Sequence, residues 1–354
     1  MKRREFLGTL PVVGAAVSLK AATPGPKIDI HNHYYPETYF QTIRDLAGDD
    51  YTFDSDATGT TIIKFRGARF FGIQPPMTDV SLRLEAMDRV GIDVQVLSVS
   101  VPNVYFARVD QEPEIARGIN DAYAELIARY PQRFKGFASV PMSVPDAALA
   151  ELERAIDVLK LNGVIMMSHI RSKPLTDPSF RPFFEEANRK KLCILIHPMM
   201  PTGMAEQLRE YVLGPIVGFL FDSTLAVARM CYDGLLRDFP DIRWVIPHLG
   251  GAIPYLMARI DQGHHDFVAC REKIDELPST YLKKLYFGTV ASSPYTVSMV
   301  RDLIGTDHIA LGTDYPHLLG SIDGSVQTIE AMRIPDAEKQ RIFSGTALAI
   351  LNNI

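Results

Sequence analysis

The chain has 354 residues, 47% of them hydrophobic, and a formal net charge of −5 with no basic stripe, so nucleic acid is excluded as an electrostatically favoured partner. That length accommodates one large barrel domain or two ordinary ones. No run of 18 or more apolar residues occurs, so no membrane span is expected.

The N-terminus reads Lys2-Arg3-Arg4-Glu5-Phe6-Leu7, then an apolar run from Gly8 to Leu19, then Lys20-Ala21-Ala22. A basic start, a short apolar segment and small residues are the pattern of a secretory signal. The Arg3-Arg4-x-Phe6-Leu7 core resembles the twin-arginine export signal, a route for proteins already folded and loaded with metal. The expectation is a signal segment over residues 1–24, the twin-arginine (Tat) export machinery as a partner, and a periplasmic location for one domain over residues 25–354.

From Lys27 onward short apolar runs alternate with amphipathic stretches. The strand-like runs are Lys27–His31, Val94–Ser98, Gly136–Val140, Gly163–Met167, Cys193–His197, Trp244–His248, Leu285–Gly288 and Ile309–Thr313. They are nearly continuous in apolar residues, as parallel strands covered on both faces must be. The helical patterns are 79–90, 114–130, 146–161, 180–190, 225–239, 253–267, 295–304 and 336–351, the first with Asp79 as cap and Gly91 as stop. Eight strands each followed by a helix predict an α/β (β/α)8 TIM barrel. No GxGxxG follows the first strand, which argues against a dinucleotide fold. Two stretches exceed ordinary loop length, 34–78 and 199–223. The first contains the strand-like segment 60–71 and predicts a small β insertion after strand one. Both follow strand ends and so belong to the C-terminal face, where barrel active sites are built. Cys193, Cys231 and Cys270 form no CxxC pair and are odd in number, so neither a disulfide framework nor a thiolate metal site is expected.

The polar residues at strand ends carry the chemistry. Strand one ends Asp29-Ile30-His31-Asn32-His33, and alternate side chains of an extended chain share a face, so His31 and His33 can point together into the barrel mouth. Strand five ends in His197, strand six in His248 followed by Leu249-Gly250-Gly251, and strand eight in Thr313-Asp314-Tyr315-Pro316-His317. Taken singly, each histidine reads more readily as a buried, hydrogen-bonded residue or a capping group than as a ligand. Together, four strands end in His or Asp on one face, and imidazoles with a carboxylate are the ligand set of a catalytic metal.

This constellation resembles the amidohydrolase superfamily, and more closely its aminocarboxymuconate-semialdehyde decarboxylase subgroup. The matching motifs are Asp-Ile-His-Asn-His at 29–33, Arg-Leu-Glu-Ala-Met-Asp at 83–88 and Gly-Ile-Asp-Val-Gln-Val-Leu-Ser at 91–98. They continue with Gly-Val-Ile-Met-Met-Ser-His at 163–169, Ile-His-Pro at 196–198, His-Leu-Gly-Gly at 248–251 and Leu-Gly-Thr-Asp-Tyr-Pro at 311–316. The resemblance implies that His31, His33, His197 and Asp314 bind one divalent metal, Zn2+ first and Mn2+ second, and that His248 and Asp314 are catalytic. It implies that Arg259 binds a substrate carboxylate across the interface of a homodimer. Strand four ends in Met167-Ser168-His169 without the lysine that bridges two metals in other members, which favours one metal. His169 reads either as a substrate ligand at the mouth or as a supporting histidine.

The chain also departs from the subgroup. Met199-Met200 follow His197-Pro198 where the subgroup carries Trp and Asp, and His317 stands where it carries Phe, which places His317 among the substrate-binding candidates. Arg69, ahead of Arg66, is the candidate for the arginine expected in the first insertion. The function implied is a metal-dependent, non-oxidative decarboxylase of an aromatic or unsaturated carboxylic acid, with a small-molecule carboxylate as its partner. In some members the matching histidine activates a water on the metal; in others the strand-eight aspartate delivers the proton, and the residues do not choose. The alternative is a hydrolase of a lactone, ester or amide using the same metal. A non-catalytic binding protein is disfavoured because no candidate ligand is missing.

Overall fold

The computed structural model describes residues 25–290 and 293–354, so the expected export signal lies outside the described residues. Eight parallel strands follow one another around the molecule: Ile28–His33, Val94–Ser98, Phe134–Gly136, Val164–Met167, Cys193–His197, Arg243–Ile246, Tyr286–Gly288 and Ile309–Ala310. The first three form one sheet and the last five another. Backbone hydrogen bonds close both seams. Ala138 N donates to Gly163 O at 2.9 Å and Ile165 N to Ala138 O at 3.0 Å; Ile30 N donates to Leu311 O at 2.9 Å and His33 N to Tyr315 O at 2.8 Å. The result is the expected barrel, in which no strand keeps an unpaired edge. Ile30, Leu97, Val164, Ile194, Ile246 and Phe287 are buried in its strands, and the helices cover the outside.

Strands two and five run over the predicted residues. Strand three lies earlier than predicted and ends at Gly136. Beyond it the Asn120 amide takes over the backbone of Ser139, accepting from its N–H at 2.9 Å and donating to its carbonyl at 2.9 Å. Strands six and eight end at Ile246 and Ala310, ahead of His248 and Asp314, whose positive φ of 52° and 55° extended chain cannot accommodate. The first helix, Val80–Val90, matches its prediction, with the Asp79 carboxylate accepting from Ser81 N and Leu82 N and left-handed Gly91 ending it. The fifth helix runs earlier than predicted, Phe219–Asp233, and is stopped by left-handed Gly234. A helix at Ile322–Glu330, capped by Ser321, was not expected, since Asp323 and Gly324 break the apolar period at its start.

The insertion after strand one contains a helix, Tyr39–Leu46, and a three-stranded antiparallel sheet, Tyr51–Ser55, Thr61–Phe65 and Ala68–Gly72. The segment read as one strand is therefore a hairpin. Its turn is Arg66-Gly67, with φ of 48° and 79°, the pair of left-handed residues that a two-residue hairpin turn demands.

By length and composition Glu210–Asp233 would qualify as a membrane-crossing helix, which the sequence reading did not anticipate. In the fold this run includes the fifth barrel helix. Its buried Asp222 accepts from Met199 N at 2.9 Å and from the Ser168 hydroxyl, while Ile216, Val217, Phe221 and Leu225 are exposed.

Candidate active site

His31 and His33 end the first strand, beside an irregularity in its register with strand two between Asp29 and Asn32. A break of this kind re-aims side chains at a strand end. His197 ends strand five, and the positive φ of Asp314 turns its carboxylate over the barrel mouth. His31, His33, His197 and Asp314 come together, each offering one ligand atom, with these atoms within 4.8 Å of one another. His31 Nε2 lies 3.2 Å from His33 Nε2, which in turn lies 3.1 Å from Asp314 Oδ1. All four residues are buried.

The hydrogen bonds around the cluster settle which nitrogens carry protons. His197 Nδ1 faces the Pro198 carbonyl at 2.7 Å and donates to it, leaving Nε2 as an acceptor, with the Ser100 hydroxyl 3.3 Å away. The Ser98 hydroxyl spends its proton on the Asn32 carbonyl at 2.8 Å, so at 3.2 Å from His33 Nδ1 it accepts. His33 Nε2 is therefore also an acceptor. Acceptor nitrogens of His33 and His197 converge with the Asp314 carboxylate and His31 on one point, and this donor set fits a divalent metal. Burial holds His31 and His197 well below the ordinary histidine range, which keeps them in the neutral, ligating form. Burial opposes ionisation of Asp314, but the His248, His33 and His31 rings packed around it outweigh that, and the carboxyl is held well below its usual range.

His248 sits in a left-handed turn, with Leu249, Gly250 and Gly251 also at positive φ. Its Nε2 lies 3.8 Å from Asp314 Oδ2, and its Nδ1 is buried without a partner. A Cβ on Gly250 would fall inside the Phe287 ring, and one on Gly251 would collide with the Leu220 carbonyl. Both positions therefore require glycine, and the turn they form presents the His248 ring to the cavity. Held non-glycine residues in this backbone region store strain of the kind that gathers at functional sites.

A cavity of about 690 Å³ opens above the cluster, with His197, His248 and Asp314 in its wall. Arg69 and His317 also line it. Arg69 forms an ion pair with Asp56 at 3.9 Å. His317 Nε2 meets the buried Tyr35 hydroxyl at 3.2 Å, and burial pushes its pKa down to about 4, so the ring is neutral. Two sequence candidates are placed elsewhere. His169 does not line this cavity: its Nε2 meets the Met200 carbonyl at 3.0 Å, so the ring props the turn after strand five. Arg259 is exposed on the outer side of the helix Ile253–Asp266, away from the cavity of its own chain.

Sequence reading missed the residues that hold the ligands in place. Asp29 accepts from His31 N at 3.1 Å and Thr313 N at 3.2 Å through one oxygen, and from Gln95 Nε2 at 2.9 Å and Thr313 Oγ1 at 2.7 Å through the other. It thereby ties the first strand to the end of the eighth. Buried Arg83 donates to Asn32 Oδ1 at 3.0 Å, to Gln95 Oε1 at 2.8 Å and to the His33 carbonyl. Asp29 shares its strand parity with His31 and His33, and that was the one signal available.

A family model described as amidohydrolase matches residues 28–352. Over 331 residues the chain is 29% identical to 2-amino-3-carboxymuconate-6-semialdehyde decarboxylase of Dictyostelium discoideum, covering 92% of this chain and 91% of that protein. Among solved structures, 5-carboxyvanillate decarboxylase of Sphingomonas paucimobilis aligns with TM-score 0.81 and 26% identity over 92% of this chain and 98% of the other. A dihydroxybenzoic acid decarboxylase of Polaromonas sp. JS666, with bound manganese and 2-nitroresorcinol, aligns with TM-score 0.77 and 25% identity over 92% and 96%.

Proposed function

The chain belongs to the amidohydrolase family, and from that premise we propose that its barrel mouth is the active site of a metal-dependent, non-oxidative decarboxylase acting on an aromatic or unsaturated carboxylic acid. The observation that carries this reading is the convergence of His31, His33, His197 and Asp314, each offering one ligand atom, at the base of a cavity that His248 lines. His31, His33, His197 and Asp314 would hold one divalent ion. Three imidazoles and a carboxylate suit Zn2+, and the manganese in the Polaromonas relative makes Mn2+ the second candidate. When bound, the ion supplies Lewis-acid polarisation of a substrate oxygen.

The protein's own groups do the rest. His248 holds a proton at Nε2 and delivers it to the carbon that bears the carboxylate. The electron pair of the breaking C–CO2 bond returns to the ring or conjugated system, CO2 leaves, and one proton is consumed per turnover. Arg69, in the cavity wall, anchors a substrate oxygen by charge-assisted hydrogen bonds. Arg259 reaches a substrate only from a second copy of the chain, which is the arrangement the family resemblance implies.

The test is CO2 release from a panel of aromatic and muconate-type acids by metal-loaded protein. We expect release from at least one acid, and His248→Asn should abolish it while retaining metal. Hydration of lactones or amides with every acid untouched would replace this reading by the hydrolase one. We further propose export through the twin-arginine route to the periplasm, supported by Arg3-Arg4-Glu5-Phe6-Leu7. Replacing Arg3 and Arg4 by lysine should strand the protein in the cytoplasm, and unchanged periplasmic levels would refute it.

A further inference from the structure

The cavity is larger and more apolar than a simple ring acid requires. A hydroxybenzoate has about ten non-hydrogen atoms. Even at the ~30 Å³ share of a water molecule for each atom, it fills less than half of about 690 Å³. The surplus is shaped by chemistry. Close to the metal cluster the walls are His197, His248 and Asp314. On one side the helix Ile322–Glu330 presents Ser325 and, at its cap, Ser321. Ser325 is only 4% exposed and lines the cavity. Away from the cluster the walls turn apolar, with Phe70, Val212, Phe219, Leu220, Ile216 and Leu318. Arg69 is the one charged side chain among the lining residues beyond Asp314 and the histidines, and its charge is already matched by Asp56.

Resting on the decarboxylase reading, we propose that the substrate is an aromatic monocarboxylic acid carrying an apolar substituent of several carbons. The carboxylate end lies at the metal cluster. A ring hydroxyl or ether oxygen faces Ser325. The apolar substituent runs outward between the 212–220 segment and Leu318-Leu319. Two observations carry this assignment. The first is the continuity of the apolar wall with the metal site in a single cavity. The second is the exposure of Ile216 (47%), Leu318 (68%) and Leu319 (54%) at its rim, apolar surface that a tail would cover. Arg69 is the single cationic side chain among the lining residues that a second carboxylate could meet, and it shares its charge with Asp56, so a dicarboxylic acid fits this cavity less well than a monocarboxylic one.

The experiment uses metal-loaded, full-length protein and two ligand series. The first is 2-hydroxybenzoic acids with 4- or 6-alkyl groups from methyl to heptyl, read as CO2 release. The second is the corresponding alkylphenols, read as binding by calorimetry. Each methylene buried should raise kcat/KM and phenol affinity about fourfold until the tail reaches the rim. The double variant Ile216→Ser/Leu318→Ser, at exposed positions, should flatten that slope. CO2 release that is flat or falling with chain length, with phenol affinity likewise flat, overturns the proposal and leaves the decarboxylase reading standing. A partner chain filling the outer cavity gives that same flat slope. Chain-length-dependent phenol binding without CO2 from any acid keeps the apolar subsite and overturns the decarboxylase reading instead.

Discussion

Replacing Arg83 by methionine tests whether the ligand shell is held from behind. Arg83, on the helix Val80–Val90, is fully buried against the end of the first strand. Its guanidinium serves four acceptors: Asn32 Oδ1, Gln95 Oε1, the His33 carbonyl and, at 3.2 Å, the Pro76 carbonyl. No carboxylate lies within ion-pair distance of it among the described residues, and burial lowers its pKa to about 10. Methionine keeps the apolar stem and removes the donors. Four buried acceptors left bare cost about 1.5 kcal/mol each, roughly 6 kcal/mol together. Against this, the buried cation itself is penalised. A pKa pulled from the ordinary arginine range down to about 10 is about 3 kcal/mol that the variant no longer bears. The loss of hydrogen bonds wins, and the metal-free variant should be less stable by about 3 kcal/mol in urea unfolding. Because two of the acceptors belong to Asn32 and His33, metal affinity should also fall about 10- to 100-fold in a competitive chelator titration. Arg83→Lys should lose nearly as much, since a single ammonium cannot span four acceptors set around a planar fork. Wild-type stability and metal affinity in Arg83→Met, or full restoration in Arg83→Lys, would refute the reasoning.

Two further outcomes follow from the same geometry. Ser98→Ala removes the acceptor that keeps the His33 proton on Nδ1. Metal affinity should drop about tenfold while folding stability changes by only about 1 kcal/mol, and an unchanged chelator titration would show that Ser98 does not set the tautomer. Gly250→Ala forces a side chain into Phe287 at a φ of 78°, and should cost about 3 kcal/mol or more together with turnover. A crystal structure of Gly250→Ala with the His248 ring unmoved and full activity would count against the role given to that turn.

The barrel and the metal cluster were legible because both announce themselves in short windows. Eight apolar runs of strand length can be counted, and His31, His33, His197, His248 and Asp314 each fall at the end of one. What was not legible joins residues far apart in the chain. Ser98 meets His33 across 65 positions, and Asp29 meets Thr313 across 284. Neither pairing leaves a periodic trace. His169 illustrates the limit from the other side. It lies two residues past the end of barrel strand four on the catalytic face, yet the Met200 carbonyl captures its ring and turns it away from the cavity. Strand position gives the face, and only the surrounding hydrogen bonds give the direction.

The same distinction explains why strands six and eight end where they do. Had the chain stayed extended through His248 and Asp314, successive side chains would have alternated between the barrel interior and the helix layer. Instead both residues adopt positive φ, at 52° and 55°, a conformation that costs a non-glycine residue on the order of 1 kcal/mol or more. For His248 the next three residues share that hand, and Gly250 and Gly251 leave room for the turn against Phe287 and the Leu220 carbonyl. The outcome is an imidazole 3.8 Å from the Asp314 carboxylate, held beside the metal cluster without being one of its four clustered ligand residues. A proton donor has to be close to the metal yet free to give up its proton. The strained turn separates His248 from the three histidines that would hold the cation, and this is the physical basis for proposing a different role for it.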